Sequence, residues 1–316
     1  MKIDQVGFLH LLDDKVYRVL VEISRRGFCL TLVGGAVRDY LLTGELSHDL
    51  DFEIKHKFLY DEDEWKRKLD ALFSHLSSFD NSLEIRELKY NIFRVKLNDF
   101  ELEFSSTRIE KINEDQGHNY FDPVFISNLS SEEAFSRRDL TVNAIGIFFG
   151  VPGSEEEFSL VDPYGGIDDL NDKLLRNIND NFFFDYVRLL RLLRFKNVLG
   201  FNICEDLYKE LGRFNLSRAT NHYIFYEFKK CFHSKDPLNF LNDLFSIIDS
   251  FKIETNEVLE CFRPLAQVSV EDSKYKISDD FLSWLAAHEA LTQDQKLLVV
   301  KTMMFSQKKF KKLLKQ

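Results

Sequence analysis

The segment Leu32-Val33-Gly34-Gly35-Ala36-Val37-Arg38-Asp39, followed shortly by Asp49-Leu50-Asp51, constrains this chain more than any other. The first stretch joins an apolar run to a helix start through two glycines. Glycine takes positive φ without steric penalty and leaves backbone N–H groups bare, so a phosphate can rest against them. The second stretch sets two carboxylates one residue apart in a β-like run, Leu50-Asp51-Phe52-Glu53-Ile54. Alternation along a strand puts Asp49 and Asp51 on the same face. Two like charges held that close repel unless a cation lies between them. A phosphate cradle beside a carboxylate pair for a divalent metal points to nucleotidyl transfer, with Arg38 at hand for a triphosphate. Neither half is specific alone, since Gly-Gly before a helix is commonly a turn and Asp-x-Asp a solvated strand edge. His48-Asp49 could open a His–Asp phosphohydrolase site, but no second His/Asp cluster accompanies it.

At 316 residues the chain has room for two or three subdomains, and 44% apolar with 30% charged residues is ordinary for a globular protein. No run approaches the roughly 18 uninterrupted apolar residues of a membrane span. Asp4, Asp13 and Asp14 interrupt the apolar positions near the N-terminus, against a secretory segment. A cytoplasmic location is expected, with no membrane and no protein partner implied. Cys29, Cys204, Cys231 and Cys261 are scattered without a CxxC pair, which fits reduced thiols, mostly in the core. The 31 phenylalanines are read as core filling.

The net charge of −10 is unevenly spread. Residues 186–230 carry a net +5, and residues 301–316 hold six lysines and no acid. Local potential, rather than total charge, guides a polyanion. Each basic run taken alone reads as a solvated helix face.

Periodicity predicts a helix over 7–26, a strand over 29–33, a helix over 35–42 closed by Gly44, and a strand over 49–54. A polar-faced helix over 61–76 and three β-like runs (83–88, 91–97, 100–105) follow. In the last run Glu101 and Glu103 alternate with Phe100, Leu102 and Phe104. Residues 109–130 read as a long polar loop, 131–136 as a capped helix, and 142–149 as an apolar strand. After Asp162-Pro163-Tyr164-Gly165-Gly166 the pattern is helical only, with 182–198, 206–211, 223–232, 237–251, 279–290 and 294–305 as the candidate helices. An α/β head thus precedes an all-α body.

Four motifs then occur in order: Gly34-Gly35-Ala36-Val37-Arg38-Asp39 with Asp49 and Asp51; Arg137-Arg138-Asp139-Leu140-Thr141-Val142-Asn143-Ala144; Asp162 to Leu170; and Asp185-Tyr186-Val187-Arg188-Leu189-Leu190-Arg191. In this order and at this spacing the chain resembles the class II tRNA nucleotidyltransferases, over about residues 30–230. That family holds the CCA-adding enzymes, their CC-adding and A-adding relatives, and bacterial poly(A) polymerases. The resemblance implies a polymerase-β-like head over 1–150, a helical neck over 151–232 bearing the base-selecting helix, and a helical body over 233–316 in contact with tRNA.

The resemblance also implies roles. Asp49 and Asp51 would hold two Mg²⁺, and Glu103 would complete the catalytic carboxylates, with Glu101 on the same face as its competitor. Gly34, Gly35, Arg38, Arg137, Arg138 and Asp139 would bind the nucleotide, with Asn143 supporting that loop. Asp162–Asp169 would be the hinge between head and neck. Asp185, Arg188 and Arg191 would present donors and acceptors to the incoming base of CTP or ATP. Arg194, Arg218 and the tail Lys308, Lys309, Lys311 and Lys312 would contact RNA, the tRNA 3′ end being the acceptor. Completion of the 3′-CCA end is the leading expectation. Alternatives are a partial enzyme adding only A or only CC, a poly(A) polymerase, or a non-catalytic RNA-binding remnant. Two departures stand out: Phe184 occupies the place of the family's usual Glu, and Asn221-His222-Tyr223-Ile224 replaces a Glu-Arg-Ile pattern.

Overall fold

A computed structural model of the chain describes residues 5–112, 121–150, 158–268, 277, 281–303 and 305–315. Its described residues divide into two compact units, the first running to Asp172 and the second from Lys173 onward.

The first unit opens with α1 (Gln5–Leu11) and α2 (Asp14–Arg25). The single helix expected over 7–26 is thus broken at Asp13, whose side chain accepts from Lys15 N at 2.8 Å and starts a second helix. Strand β1 (Phe28–Val33) leads through Gly34 into α3 (Gly35–Thr43), then β2 (Asp49–His56) and α4 (Glu62–Phe79). Strands β3 (Glu84–Leu88), β4 (Ile92–Leu97) and β5 (Phe100–Ser106) follow as a meander. Beyond them lie β6 (Arg108–Ile112), β7 (Phe121–Phe125), α5 (Ser131–Phe135), β8 (Gly146–Phe149), β9 (Phe158–Val161) and α6 (Gly166–Asn171).

Seven strands form one mixed sheet in the order β3-β4-β5-β2-β1-β8-β9, with β2 and β5 parallel and the other neighbours antiparallel. One face is apolar and packs under helices. Phe52 stacks on Phe104 at 5.2 Å between ring centroids, and Phe73 of α4 stacks on Phe93 at 4.0 Å. Trp65 of α4 is fully buried, and its Nε1 donates to Ser106 Oγ at 3.1 Å. Truncating such a side chain to Ala costs about 3–5 kcal/mol. The opposite face, at β2 and β5, carries the carboxylates.

Three expectations change here. Within the loop expected over 109–130 two strands form, β6 pairing antiparallel with β7 from Arg108↔Phe125 to Ile112↔Phe121; residues 113–120 lie outside the described ones. The strand expected from Val142 begins only at Gly146, because Thr141–Asn143 coil into a 3₁₀ turn. Gly146 itself is forced by packing, since a Cβ there would lie 2.7 Å from Thr31 Cγ2 and 2.9 Å from Phe135 Cζ. Finally, the sheet gains β9 past residue 150, and Asp162–Asp169, expected as the hinge, lies within the first unit, ahead of its boundary at Asp172. Asp162 caps α6 by accepting from Gly166 N and Ile167 N, while Thr141 Oγ1 donates to Asp169 Oδ2 at 2.7 Å.

The second unit is helical apart from the short parallel pair β10 (Leu174–Leu175) and β11 (Asn202–Ile203). Its central helix is α7 (Tyr186–Leu199), followed by α8 (Glu205–Lys209), α9 (Asn221–Lys230), α10 (Asn239–Phe251), α11 (Glu257–Glu260), α12 (Phe281–Ala287), α13 (Gln293–Thr302) and α14 (Gln307–Leu313). Leu189, Leu190, Leu192 and Leu193 of α7 are fully buried. Phenylalanines fill the packing between helices: Phe228 stacks on Phe240, and Phe281 on Phe232 and Trp284. The four cysteines are free, and burial pushes the Cys231 thiol up to about 12. No described helix is long and apolar enough to cross a membrane.

Candidate active site

Strand alternation and register assemble the carboxylates. Parallel pairing sets Asp49 opposite Glu101 and Asp51 opposite Glu103, so all four lie on one face. Leu50, Phe52, Leu102 and Phe104 point the other way into the core. Asp49 and Asp51 are both exposed to solvent on this face. Asp51 nevertheless lies among enough protein that desolvation raises its pKa; Glu103 and Asp49 add to the rise, and Arg138 works against it. Glu101 and Glu103 are half-buried and differ from the aspartates in having cation partners. Arg94 of β4 approaches Glu101 at 3.0 Å and Glu103 at 3.1 Å, and Lys96 approaches Glu101 at 3.2 Å.

On the other side of Asp51, Val33 pairs with it at the end of β1, and the chain turns at Gly34. Gly34 has φ +80°, a conformation L side chains rarely adopt. A Cβ there would stand 3.6 Å from Arg138 Nη1 and 3.8 Å from Asp51 Oδ2, so bare backbone separates the carboxylate from the guanidinium. No side chain caps the start of α3, whose first N–H groups therefore remain available to an anion.

The Arg137-Arg138-Asp139 segment is tied to this edge by an acid the sequence reading did not single out. Glu53 is 3% exposed, and its Oε1 accepts from Arg137 Nη2 at 3.1 Å and from Arg138 Nη2 at 3.2 Å. Two guanidiniums thus share one oxygen of a buried carboxylate. Burial lowers the pKa of Arg138, Arg137 adds to the shift, and Glu53 opposes it. The signal was present in the sequence: Glu53 has the same strand parity as Asp49 and Asp51, yet sits between Phe52 and Ile54. Arg94 and Lys96 were likewise readable. A tight hairpin around Asn98-Asp99 sets them opposite Glu103 and Glu101.

Asn143 is the hub behind the site. Its Oδ1 accepts from Arg38 Nη1 at 2.7 Å, its Nδ2 donates to Asp139 Oδ1 at 3.0 Å, and its carbonyl accepts from Arg138 Nη1 at 3.3 Å. Arg38 also holds Asp39 through Nε at 2.8 Å and Nη2 at 3.0 Å. Arg38, Asp139 and Asn143 are all buried. The structure therefore brings together Gly34, Gly35, Arg38, Asp49, Asp51, Glu103, Arg137, Arg138, Asp139 and Asn143, but makes Arg38, Asp139 and Asn143 an internal brace.

In the second unit Asp185 sits just before α7, three residues ahead of Arg188. It is the N-cap of α7, accepting from Val187 N at 2.9 Å, with the 3₁₀ turn Asp180–Phe184 before it. Phe184 is 46% exposed. Arg188 and Arg191 follow on α7, half-buried. The side chain of Arg194, expected to contact RNA, pairs with the buried Glu227 of α9, and its guanidinium lies 3.8 Å from the Phe195 ring centroid. Arg218, and Lys308, Lys309, Lys311 and Lys312 of α14, are exposed.

The donor set suits Mg²⁺. Among the described residues no group of three or more His, Cys, Asp or Glu forms a metal cage. Mg²⁺ characteristically takes one or two carboxylates and completes its shell with water and substrate oxygens. Asp49 and Asp51 offer that pair, and the repulsion by Glu103 and Asp49 that adds to the effect of burial at Asp51 is what a cation would relieve.

Residues 30–176 match the poly A polymerase head domain. The chain is 32% identical over 221 residues to the multifunctional CCA protein of Aliivibrio salmonicida, covering 67% of this chain and 47% of that one. It is 32% identical over 184 residues to the CCA-adding enzyme of Actinobacillus succinogenes, covering 56% and 42%. It spans about a third to a half of the curated relatives it matches, from 31% in the multifunctional CCA protein of Vibrio vulnificus to that 47%. Among solved structures, a CCA-adding enzyme in apo form I superposes with a TM-score of 0.65 at 19% identity, covering 98% of this chain and 70% of that one. A tRNA-processing enzyme in apo form superposes with a TM-score of 0.64 at 21% identity, covering 99% and 79%. With the polymerase-β-like sheet, the carboxylate face and the motifs set along one edge of it, the chain belongs to the class II CCA-adding enzyme and poly(A) polymerase family.

Proposed function

We propose that this protein is a template-independent nucleotidyltransferase that builds the 3′-CCA end of tRNA from CTP and ATP. The observation that carries this is the edge where Asp49 and Asp51 face solvent as an unpaired carboxylate couple, with Arg138 and the bare Gly34 backbone beside them. An NTP supplies the complementary parts: a polyanion for the arginines and N–H groups, and phosphate oxygens to share a cation with the carboxylates. Relatives named as CCA-adding enzymes, and solved neighbours described as complexes with ATP and with CTP, support the same substrates.

In this reading the Gly34–Gly35 backbone and the Arg137–Arg138 pair hold the triphosphate, and Glu53 fixes the two guanidiniums. Asp49 and Asp51 would hold two Mg²⁺, which when bound supply Lewis-acid charge at the attacking and leaving oxygens. The primer 3′-hydroxyl gives up its proton to solvent as its oxygen bonds to the α-phosphorus, the bond from that phosphorus to the bridging oxygen breaks, and pyrophosphate leaves with the electron pair. Asp185 and Arg188 choose the base, Asp185 also capping the start of α7 and Arg188 supplying the donors.

The test is to feed purified protein a tRNA ending at its discriminator base with CTP alone, ATP alone, both, or each of UTP and GTP. Two C additions with CTP and a completed CCA with both are expected. Arg188→Ala should narrow the advantage of CTP and ATP over UTP and GTP. Addition of A without prior C, or runs of A, would replace this reading with an A-adding or poly(A) activity. No addition from any nucleotide would refute it.

A further inference from the structure

We propose that the outer face of β3 and β4, built on Arg86, Arg94 and Lys96, is a phosphate-binding strip for the RNA strand being extended. The inference rests on the nucleotidyl-transfer reading above and adds the path by which the acceptor reaches the carboxylates.

Register places two continuous rows across the sheet on the carboxylate face: Asp51–Glu103–Arg94–Arg86 and Asp49–Glu101–Lys96–Glu84. The outer ends of these rows line a groove of about 110 Å³ formed by Glu84, Arg86, Leu88, Arg94 and Lys96. Three cations share it with one acid. Arg94 and Lys96 spend part of their charge on Glu101 and Glu103. The Arg86 side chain is exposed and has no hydrogen-bond or ion-pair partner among the described residues.

Direction comes from the chemistry. In phosphoryl transfer the attacking and leaving oxygens lie roughly in line. The triphosphate groups, Gly34 and Arg138, stand on the β1 side of Asp51. The leaving pyrophosphate is therefore on that side, and the attacking hydroxyl must arrive from the opposite one, over β5. A strand whose 3′ end sits there runs back across β4 and β3. Arg86 is three strand spacings from Asp51, about 14 Å, far enough to meet a phosphate upstream of the reacting nucleotide. Guanidinium groups grip phosphate oxygens bidentately, which suits Arg86 and Arg94 to that contact. Charges on an edge strand such as β3 can also serve only to discourage edge-to-edge pairing, and the test separates the two roles.

Arg86→Glu and Lys96→Glu are compared with wild type in the full chain, using a tRNA acceptor-stem hairpin ending in CC and ATP. The exposed position of Arg86 makes its replacement mild for folding, which a thermal midpoint within a degree or two of wild type would confirm. Arg86→Glu is expected to raise the KM for the hairpin about tenfold and to make the salt dependence of its binding shallower by about one phosphate contact, with the KM for ATP unchanged. An unchanged hairpin KM and salt slope overturn the proposal, and new self-association in that case assigns the charges to edge protection. Arg138→Ala in the same assay guards the underlying reading: it should raise the KM for ATP and spare that for the hairpin. If Arg138→Ala leaves ATP untouched, the nucleotide-side assignment falls and the direction argument with it.

Discussion

The carboxylate face of the first unit and the basic helix α7 of the second are both dense in charge, yet they handle charge in opposite ways. On β2, Asp49 and Asp51 are exposed side by side with no cation of their own, and the two guanidiniums nearest them share a single carboxylate oxygen. Around α7 the charges are matched: Arg194 with Glu227, Lys196 with Asp243 at 2.6 Å, and Asp185 with the backbone it caps. A matched ion pair is a part of the fold. Exposed carboxylates held close together are groups that a cation from outside can serve, and under the proposed function a metal nucleoside triphosphate brings one.

That contrast is broken most severely at Asp51. Asp51→Ala should abolish nucleotide addition, a loss of at least about a thousandfold given the several kcal/mol that a metal site supplies. Because the group is exposed and repelled by its neighbours, the thermal midpoint should hold or rise. Near-normal turnover in this variant would mean that the carboxylate couple is not the catalytic centre.

At Glu227 the expected loss is one of stability. Glu227→Ala leaves Arg194 buried without its carboxylate, a change worth about 3 kcal/mol or more. Denaturant unfolding should show a lowered midpoint for the helical unit, while the KM for CTP and ATP in the folded fraction stays put. A Glu227→Ala protein of normal stability but weakened tRNA binding would restore Arg194 to the RNA-contacting role the sequence first suggested.

Glu53 lies between the two cases, structural in its burial and functional in what it holds. Glu53→Gln keeps an acceptor oxygen and should cost less than Glu53→Ala in stability. Both should raise the KM for NTP, by about tenfold for the alanine variant, more than they lower kcat. Equal KM values in wild type and both variants would place the Arg137–Arg138 pair outside the triphosphate site.

Much of this was legible from residue order. The turn at Gly34, the parity of Asp49 and Asp51, and the capping pattern at Ser130 and Glu133 are local properties, and the structure reproduces each, the last as a reciprocal capping box. Local pattern misled where a short polar residue reset the backbone: Asp13 splits a helix, Asp185 starts one, and Thr141–Asn143 coil ahead of β8. Side-chain hydrogen bonds to nearby N–H groups compete there with the period of the apolar residues.

The sequence by itself determined the family motifs, the alternation that gives β2 and β5 one acidic and one apolar face, and the division into a mixed head and a helical remainder. Only the tertiary structure decided which charges are spent. Glu53 meets Arg137 and Arg138 across 84 and 85 residues, and Arg194 meets Glu227 across 33. The parallel register that sets Glu103 beside Asp51 and brings Arg94 onto Glu103 is equally non-local. Periodicity reports the face on which a side chain lies, because that is fixed within a few residues by backbone geometry. The ion it pairs with depends on which distant segments the core draws together, and that is settled only when the chain has folded.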